Sequence, residues 1–223
     1  MTVGYRSSST TGSSDAFVTS LNIPVPSGAA SGDVAVLSIE QWESTNPTVT
    51  WPSGFTEFVN TASGSEKIKA AWKRLTGADS GNYSPSWTGS QWSQGQCVLI
   101  TGALSTGNPI DASNVATSGS GTTVPTATVT ATAADFLLHV VANENTAATT
   151  PPTSFTEVQD ANYLHNNYRI PGASGSYSAT GATLSASTLS LAALIAVLPD
   201  AGATAITPKT VRLPQAVFRA ATM

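Results

Sequence analysis

One phrase occurs twice in this chain, and it limits the possible folds more than any other feature. "PSGFTEFVN" begins at Pro52 and "PTSFTEVQD" at Pro152, so Phe55 and Phe155 stand 100 residues apart in a chain of 223. The segments around the phrase repeat in the same order. An apolar run precedes each copy, "GDVAVLSIEQW" from Gly32 and "ADFLLHVVANEN" from Ala134, with Asp33 and Asp135 in matching places. Each copy is followed by a polar-interrupted run ("KIKAAWKRL"; "NNYRI"), a Gly/Ser turn ("TGADSGNYSPSW"; "PGASGSYSATG") and a second apolar run ("QCVLITGAL"; "LSLAALIAVL"). Two copies make a duplicated supersecondary unit; a solenoid needs three or more.

The residue types in these segments are those of short strands and turns. Charged residues make up 10% of the chain, and Ser, Thr, Ala and Gly fill the gap, where a usual charged share is roughly 25%. Thr and Val suit a pleated surface, Gly, Pro, Ser and Asn punctuate it, and no long stretch keeps a 3.6-residue period. Two units that must bury one another do so most simply as two packed sheets. The sequence therefore predicts an all-β fold: a two-sheet, jelly-roll-like β-sandwich of two pseudo-repeated four-strand units, about 27–112 and 125–201, in a domain spanning 1–201. "AFVTSLNIPVP" adds a strand near the start, and the Gly/Ser/Thr-rich stretch between the units reads as a linker with one edge strand, "TVPTATVTATA". In "KIKAAWKRL" the alternation turns Ile68, Ala70 and Trp72 inward and leaves Lys67, Lys69 and Lys73 on a wet face. The two apolar runs lack such alternation, as central strands covered on both faces do.

Candidate chemistry is sparse. His139 and His165 have no ligand-like spacing, the motifs of phosphate loops, dinucleotide folds and nucleophile elbows are absent, and no metal or cofactor is expected. Cys97 reads as a buried strand thiol. Glu57 and Glu157 would be the obvious carboxylate pair of a glycosidase, but duplication accounts for both as solvent-facing strand residues. Aromatic residues offer more. Trp42, Trp51, Trp72, Trp87 and Trp92 all fall in the first half. Trp87 and Trp92, in "SPSWTGSQWSQ", are the expected exposed pair, and with Tyr83 they form a candidate glycan-binding set.

Charge separates the end of the chain from its body. Residues 1–200 hold six Lys or Arg against thirteen acids (−7), and residues 201–223 hold Lys209, Arg212 and Arg219 with no acid (+3), which together give the net −4. A weakly acidic body is not a nucleic-acid binder, which needs a dense basic face. No apolar run approaches the roughly 20 residues of a membrane span, and "MTVGYRSSSTTGSSD" lacks the apolar core of a secretory signal. Pro208 and Pro214 favour an extended path, so 202–223 reads as an extended C-terminal docking arm with Val211, Arg212, Leu213, Val217, Phe218 and Arg219 as its anchors.

The runs "SGDVAVLSIEQW", "WPSGFTEFVN", "AAWKRLTGADSGNYSPSW" and "CVLITGALSTGNPIDAS" resemble a β-sandwich domain found in virion proteins of tailed phages that infect actinobacteria. The resemblance covers roughly residues 27–200. It implies a non-enzymatic structural or adhesive protein on the particle exterior, of the minor tail or capsid decoration kind, made in the host cytoplasm. The expected partners are other virion proteins and copies of itself, with a host-surface glycan as the alternative and neither nucleic acid nor membrane involved. No catalytic residue carries over: Asp33, Gly54, Phe55, Asp79 and Asp111 are implied to hold turns.

Overall fold

A computed structural model describes residues 2–11, 17–77 and 79–200. All regular structure among them is β, and no helix is long and apolar enough to cross a membrane. The first half forms β1 (Gly4–Thr10), β2 (Val18–Ser20), β3 (Ile23–Pro24), β4 (Val34–Trp42), β5 (Thr56–Ser63), β6 (Glu66–Arg74), β7 (Asn82–Tyr83) and β8 (Ser86–Thr101). The second half forms β9 (Ile110–Thr117), β10 (Gly121–Thr123), β11 (Thr128–Ala131), β12 (Phe136–Asn143), β13 (Thr149–Thr150), β14 (Thr156–Ala161), β15 (Leu164–Arg169), β16 (Gly175–Ser178), β17 (Thr183–Thr188) and β18 (Ser190–Val197).

Each half builds one sheet, in the same strand order. The first sheet runs β1-β8-β4-β6-β5 and the second β9-β18-β12-β15-β14, antiparallel throughout. The expected two-sheet sandwich of repeated units is what forms. Its path differs from a jelly roll, however, because each unit completes its own sheet before the chain crosses once, between β8 and β9. That crossing is shorter than the sequence suggested: 110–117, read as linker, pairs with β18 along its whole length as an edge strand. The duplication also reaches the minor strands, since β3 pairs β7 as β11 pairs β16, and β2 pairs β8 as β10 pairs β17.

Alternation along the strands makes three apolar layers. Val34, Val36, Ile68, Ala70, Val98 and Ile100 face Phe136, Leu138, Val140, Leu191, Ala193 and Ile195 across the gap between the sheets. The opposite faces are also covered. Ala35, Leu37, Cys97 and Leu99 lie under Leu21, Ile23, Tyr83 and Trp87, and Leu137 and Leu194 lie under Val129 and Ala179. This is why β4, β8, β12 and β18 read as unbroken apolar runs. Each fully buried Val, Leu or Ile contributes about 1.5–3 kcal/mol relative to exposure.

The repeated phrase is a repeated turn. The Phe55 N–H donates to the Pro52 carbonyl (3.1 Å) and the Phe155 N–H to the Pro152 carbonyl (3.0 Å), with positive φ at Gly54 (85°) and Ser154 (69°). Positive φ at the third position is the signature of a type II turn, for which glycine is the usual residue. Both phenylalanines then plug outer-face clusters, Phe55 edge-on to Tyr83 (4.9 Å) and Phe155 edge-on to His139 (5.9 Å). Glu57 and Glu157 follow, both exposed, one on each sheet. Ser154 occupies the glycine position at a cost of about 1 kcal/mol, partly offset by the lower unfolded-state entropy of serine. Ser154→Gly is expected to raise the urea midpoint by an amount equivalent to about 0.5 kcal/mol; a lowered midpoint would refute the strain.

One expectation is reversed. Lys67 and Lys69 are fully buried, not on a wet face. Residues 43–50 fold over that end of β6, and carbonyls of this segment and of Ser65 hold the ammonium groups: Lys67 donates to Glu43 and to Ser65 (2.8 Å), and Lys69 to Pro47. Burial pushes Lys69 down to about 8.

Candidate functional site

At one end of the sandwich the inner layer turns from apolar to polar, and the first sheet supplies most of the change. Following the strand ladders, Ser38, Glu40 and Trp42 on β4 match Val140, Ala142 and Glu144 at the end of β12, and Gln94 and Gln96 on β8 match Leu191 and Ala193 on β18. The two units have diverged at these positions.

Side chains of the first sheet hydrogen-bond the start of β15 in the second. Gln94 Oε1 accepts from the backbone N–H groups of Tyr163 (2.9 Å) and Leu164 (3.1 Å), while Gln96 Nε2 donates to the Leu164 carbonyl and its Oε1 accepts from Asn166. These bonds fix Tyr163 against β8 of the first sheet. Unpaired, such buried groups would each cost about 1–3 kcal/mol.

The result is a mouth between the sheets with a volume of ≈ 180 Å³, lined by Glu40, Trp42, Trp92, Glu144 and Tyr163. That falls below the about 300–1,000 Å³ of drug-sized sites, so one ring or headgroup fits. Glu40 is buried at the floor, with Oε2 accepting from the Gln94 N–H (3.1 Å). Exposed Glu144 stands at the rim and accepts from Trp42 Nε1 (3.3 Å). Trp42 is 36% exposed, and Phe17, 47% exposed, packs edge-on against Trp92 (5.1 Å). Glu66, directly opposite Trp42 on β6 and so on the same face, is fully buried, and neither of its oxygens has a hydrogen-bond donor.

Burial raises both Glu40 and Glu66 well above the usual carboxylate range. The charges of Glu40 and Glu144 push Glu66 further up, and Lys67 opposes this from the other face. Among the described residues no group of three or more His, Cys, Asp or Glu is placed to hold a metal ion.

Of the candidate glycan set, Trp92 lies at this mouth and the other two do not. Tyr83 (5% exposed) and Trp87 (6%) are buried in the outer-face cluster, where Trp87 Nε1 donates to the Val18 carbonyl (3.0 Å) and Tyr83 packs on Phe55. The turn-rich sequence around Trp87 suggested exposure, but β2 and β3 lie over it. Glu40, Trp42, Glu144 and Tyr163 were not singled out as a binding set from the sequence. The available signal was the mismatch between the repeats, "SIEQW" against "VVANE". The arm anchors Val211, Arg212, Leu213, Val217, Phe218 and Arg219 lie outside the described residues.

His139 and His165 are both buried in the second sheet. His165 Nδ1 pairs with Asp160 and its Nε2 with Asn143 (2.7 Å), beneath an exposure of 1%. Cys97 is buried, and burial holds its thiol well above the ordinary range.

Compared with family models, curated proteins and solved structures, the chain matches none.

Proposed function

We propose that this chain is a non-enzymatic structural protein of a tailed-phage virion, displayed on the particle exterior as a minor tail or capsid decoration protein, and that the mouth between its sheets holds a host-surface glycan. The observation that carries the binding half is the asymmetric mouth: Glu40, Trp42 and Trp92 of the first unit face Glu144 and Tyr163 of the second around a small cavity, at positions where the two units differ. Rings stacked against sugar faces and carboxylates bonded to hydroxyls are the ordinary means of holding a sugar. The virion half rests on the sequence resemblance, and on the contrast between an acidic body and a basic 201–223 segment that suits docking on a neighbour.

One experiment tests both halves. Particles carrying the protein cut after residue 202, and particles carrying Trp92→Ala, are compared with the parent for incorporation and for adsorption to host cells. The truncation is expected to reduce incorporation. Trp92→Ala is expected to leave incorporation unchanged and to reduce adsorption. Full incorporation of the truncated chain sinks the docking arm, and unchanged adsorption sinks the glycan mouth.

A second reading, glycan hydrolysis, is favoured by one observation. Glu40 is a buried carboxyl group held protonated above the usual range, and it lines a cavity with a second carboxylate, Glu144, as an acid does in a glycosidase. Release of reducing ends from host polysaccharide, lost in Glu40→Gln, would establish hydrolysis in place of binding.

A further inference from the structure

The ionisable groups at the mouth are all carboxyl groups. Glu40 and Glu144 line the cavity, and Glu66 lies beside Trp42 on the same face. No Lys, Arg or His is among the lining residues. None of the three carboxyl groups has an ion-pair partner within 4.0 Å among the described residues, where the pairs are Arg6–Asp33, Lys73–Asp79 and His165–Asp160. Lys67 lies on the other face with its ammonium tied to the Glu43 and Ser65 carbonyls, and its charge does not outweigh the burial of Glu40 and Glu66. The fully buried Glu66, with both oxygens unbonded, is therefore a polar group that the protein leaves unsatisfied beside the cavity. Buried carboxyl groups are normally paired or hydrogen-bonded.

The walls between these groups are aromatic. Trp42, Trp92 and Tyr163 are three of the five lining residues, and Trp and Tyr are ring types whose faces attract cations. A neutral sugar would be matched as well by amide and hydroxyl groups as by carboxyl groups. A carboxyl-rich aromatic chamber without its own cation is matched by a positively charged one.

Taking the mouth as the ligand site proposed above, we infer that the group it recognises is an organic ammonium, with Glu144 and Glu40 facing its charge and Trp42, Trp92 and Tyr163 enclosing its carbon-bound hydrogens. Two sources present that chemistry, a methylated headgroup and the free amine of an amino sugar. Both fit a cavity of ≈ 180 Å³ better than a polymer segment does.

The test is calorimetric titration of the intact protein with two matched pairs at fixed ionic strength. Choline is compared with 3,3-dimethylbutan-1-ol, which has its shape without its charge, and glucosamine with N-acetylglucosamine. The charged member of at least one pair is expected to bind at least about tenfold more tightly than its neutral partner. The pair that shows this advantage names the source. The advantage is expected to fall below about threefold in Glu144→Gln, an isosteric change at an exposed position that does not endanger folding. Equal or tighter binding of the neutral members overturns the ammonium inference and leaves the glycan mouth standing. Failure of all four to bind overturns it too, and the adsorption of Trp92→Ala particles then decides the glycan reading separately. An advantage that survives Glu144→Gln unchanged overturns the assignment to this mouth.

Discussion

Phe136→Ala is expected to cost about 3–5 kcal/mol and to lower the melting temperature by about 10 °C. Phe136 is fully buried at the start of β12. Its ring lies parallel to Tyr168 of β15 (centroids 5.3 Å apart, 6° between planes), which in turn stacks on Tyr5 of β1 (5.4 Å, 18°). The three rings run from the middle of the second sheet to the edge of the first. Truncation therefore leaves a void and also removes the support of a stack that ties the two sheets together, in addition to the transfer term for the lost ring. Tyr5→Phe keeps the ring and loses only a hydroxyl contact with Ser8 (3.0 Å), so it is expected to cost about 1 kcal/mol or less. Paired urea titrations measure both. A loss below about 1 kcal/mol for Phe136→Ala would show that the neighbouring side chains close the space.

The second large effect is a dependence on pH. Asp33 and Asp135 hold matching places, but their partners have opposite charge. Asp33 is paired with Arg6 (2.6 Å), which sits at the bulge of β1; at the corresponding bulge of β9 stands Asp111. Asp135 is thus buried next to another carboxyl group, and burial together with Asp111 pushes it up to about 7. For Asp111, burial is outweighed by the Thr132 N–H (2.6 Å) and hydroxyl (2.8 Å), which hold it below its ordinary value.

The folded pKa of Asp135 is the raised one, so the folded state binds its proton more tightly than the unfolded chain does. That stabilisation is complete below the unfolded value near 3.8 and is lost as pH rises through about 7. Burial, with the His165 charge, lowers His139 to about 3, which gives the opposite slope below about 6.5. The comparison is therefore made between Asp135→Asn and the parent at each pH. Relative to the parent, Asp135→Asn is expected to gain stability between pH 4 and pH 8, by up to about 4 kcal/mol. A difference that stays flat across that range would mean that folding does not raise the Asp135 pKa.

Much of the fold was legible because it is local. The turn at Pro52–Phe55 and its copy at Pro152–Phe155 need only Pro, Gly or Ser, and a following apolar ring, and they appear where the phrase placed them. The unbroken apolar runs of β4 and β18 correctly implied cover on both faces. What the sequence did not reveal depends on segments that lie over others. Lys67 and Lys69 alternate like wet-face residues, but 43–50 covers them with carbonyls, and covering loops leave no mark on periodicity. Trp87 lies among turn residues, yet β2 and β3, more than 60 residues upstream, bury it. The mouth escaped for a related reason. Glu40 and Glu144 are 104 residues apart, and they meet only because β4 and the end of β12 emerge at the same end of the sandwich.

The assignment of one whole sheet to each half has a consequence for how such a site can arise. Two identical single-sheet subunits packed about a two-fold axis would form the same sandwich, but every residue at either end would then be matched by its own copy. A change to one wall of a mouth would be imposed on the facing wall. Joining the halves in one chain removes that constraint. Trp42 can face the mouth while its counterpart is Glu144, and Glu40 can remain a carboxyl group where its counterpart is Ala142, so a pocket with two unlike walls becomes accessible to an architecture that began with equal ones.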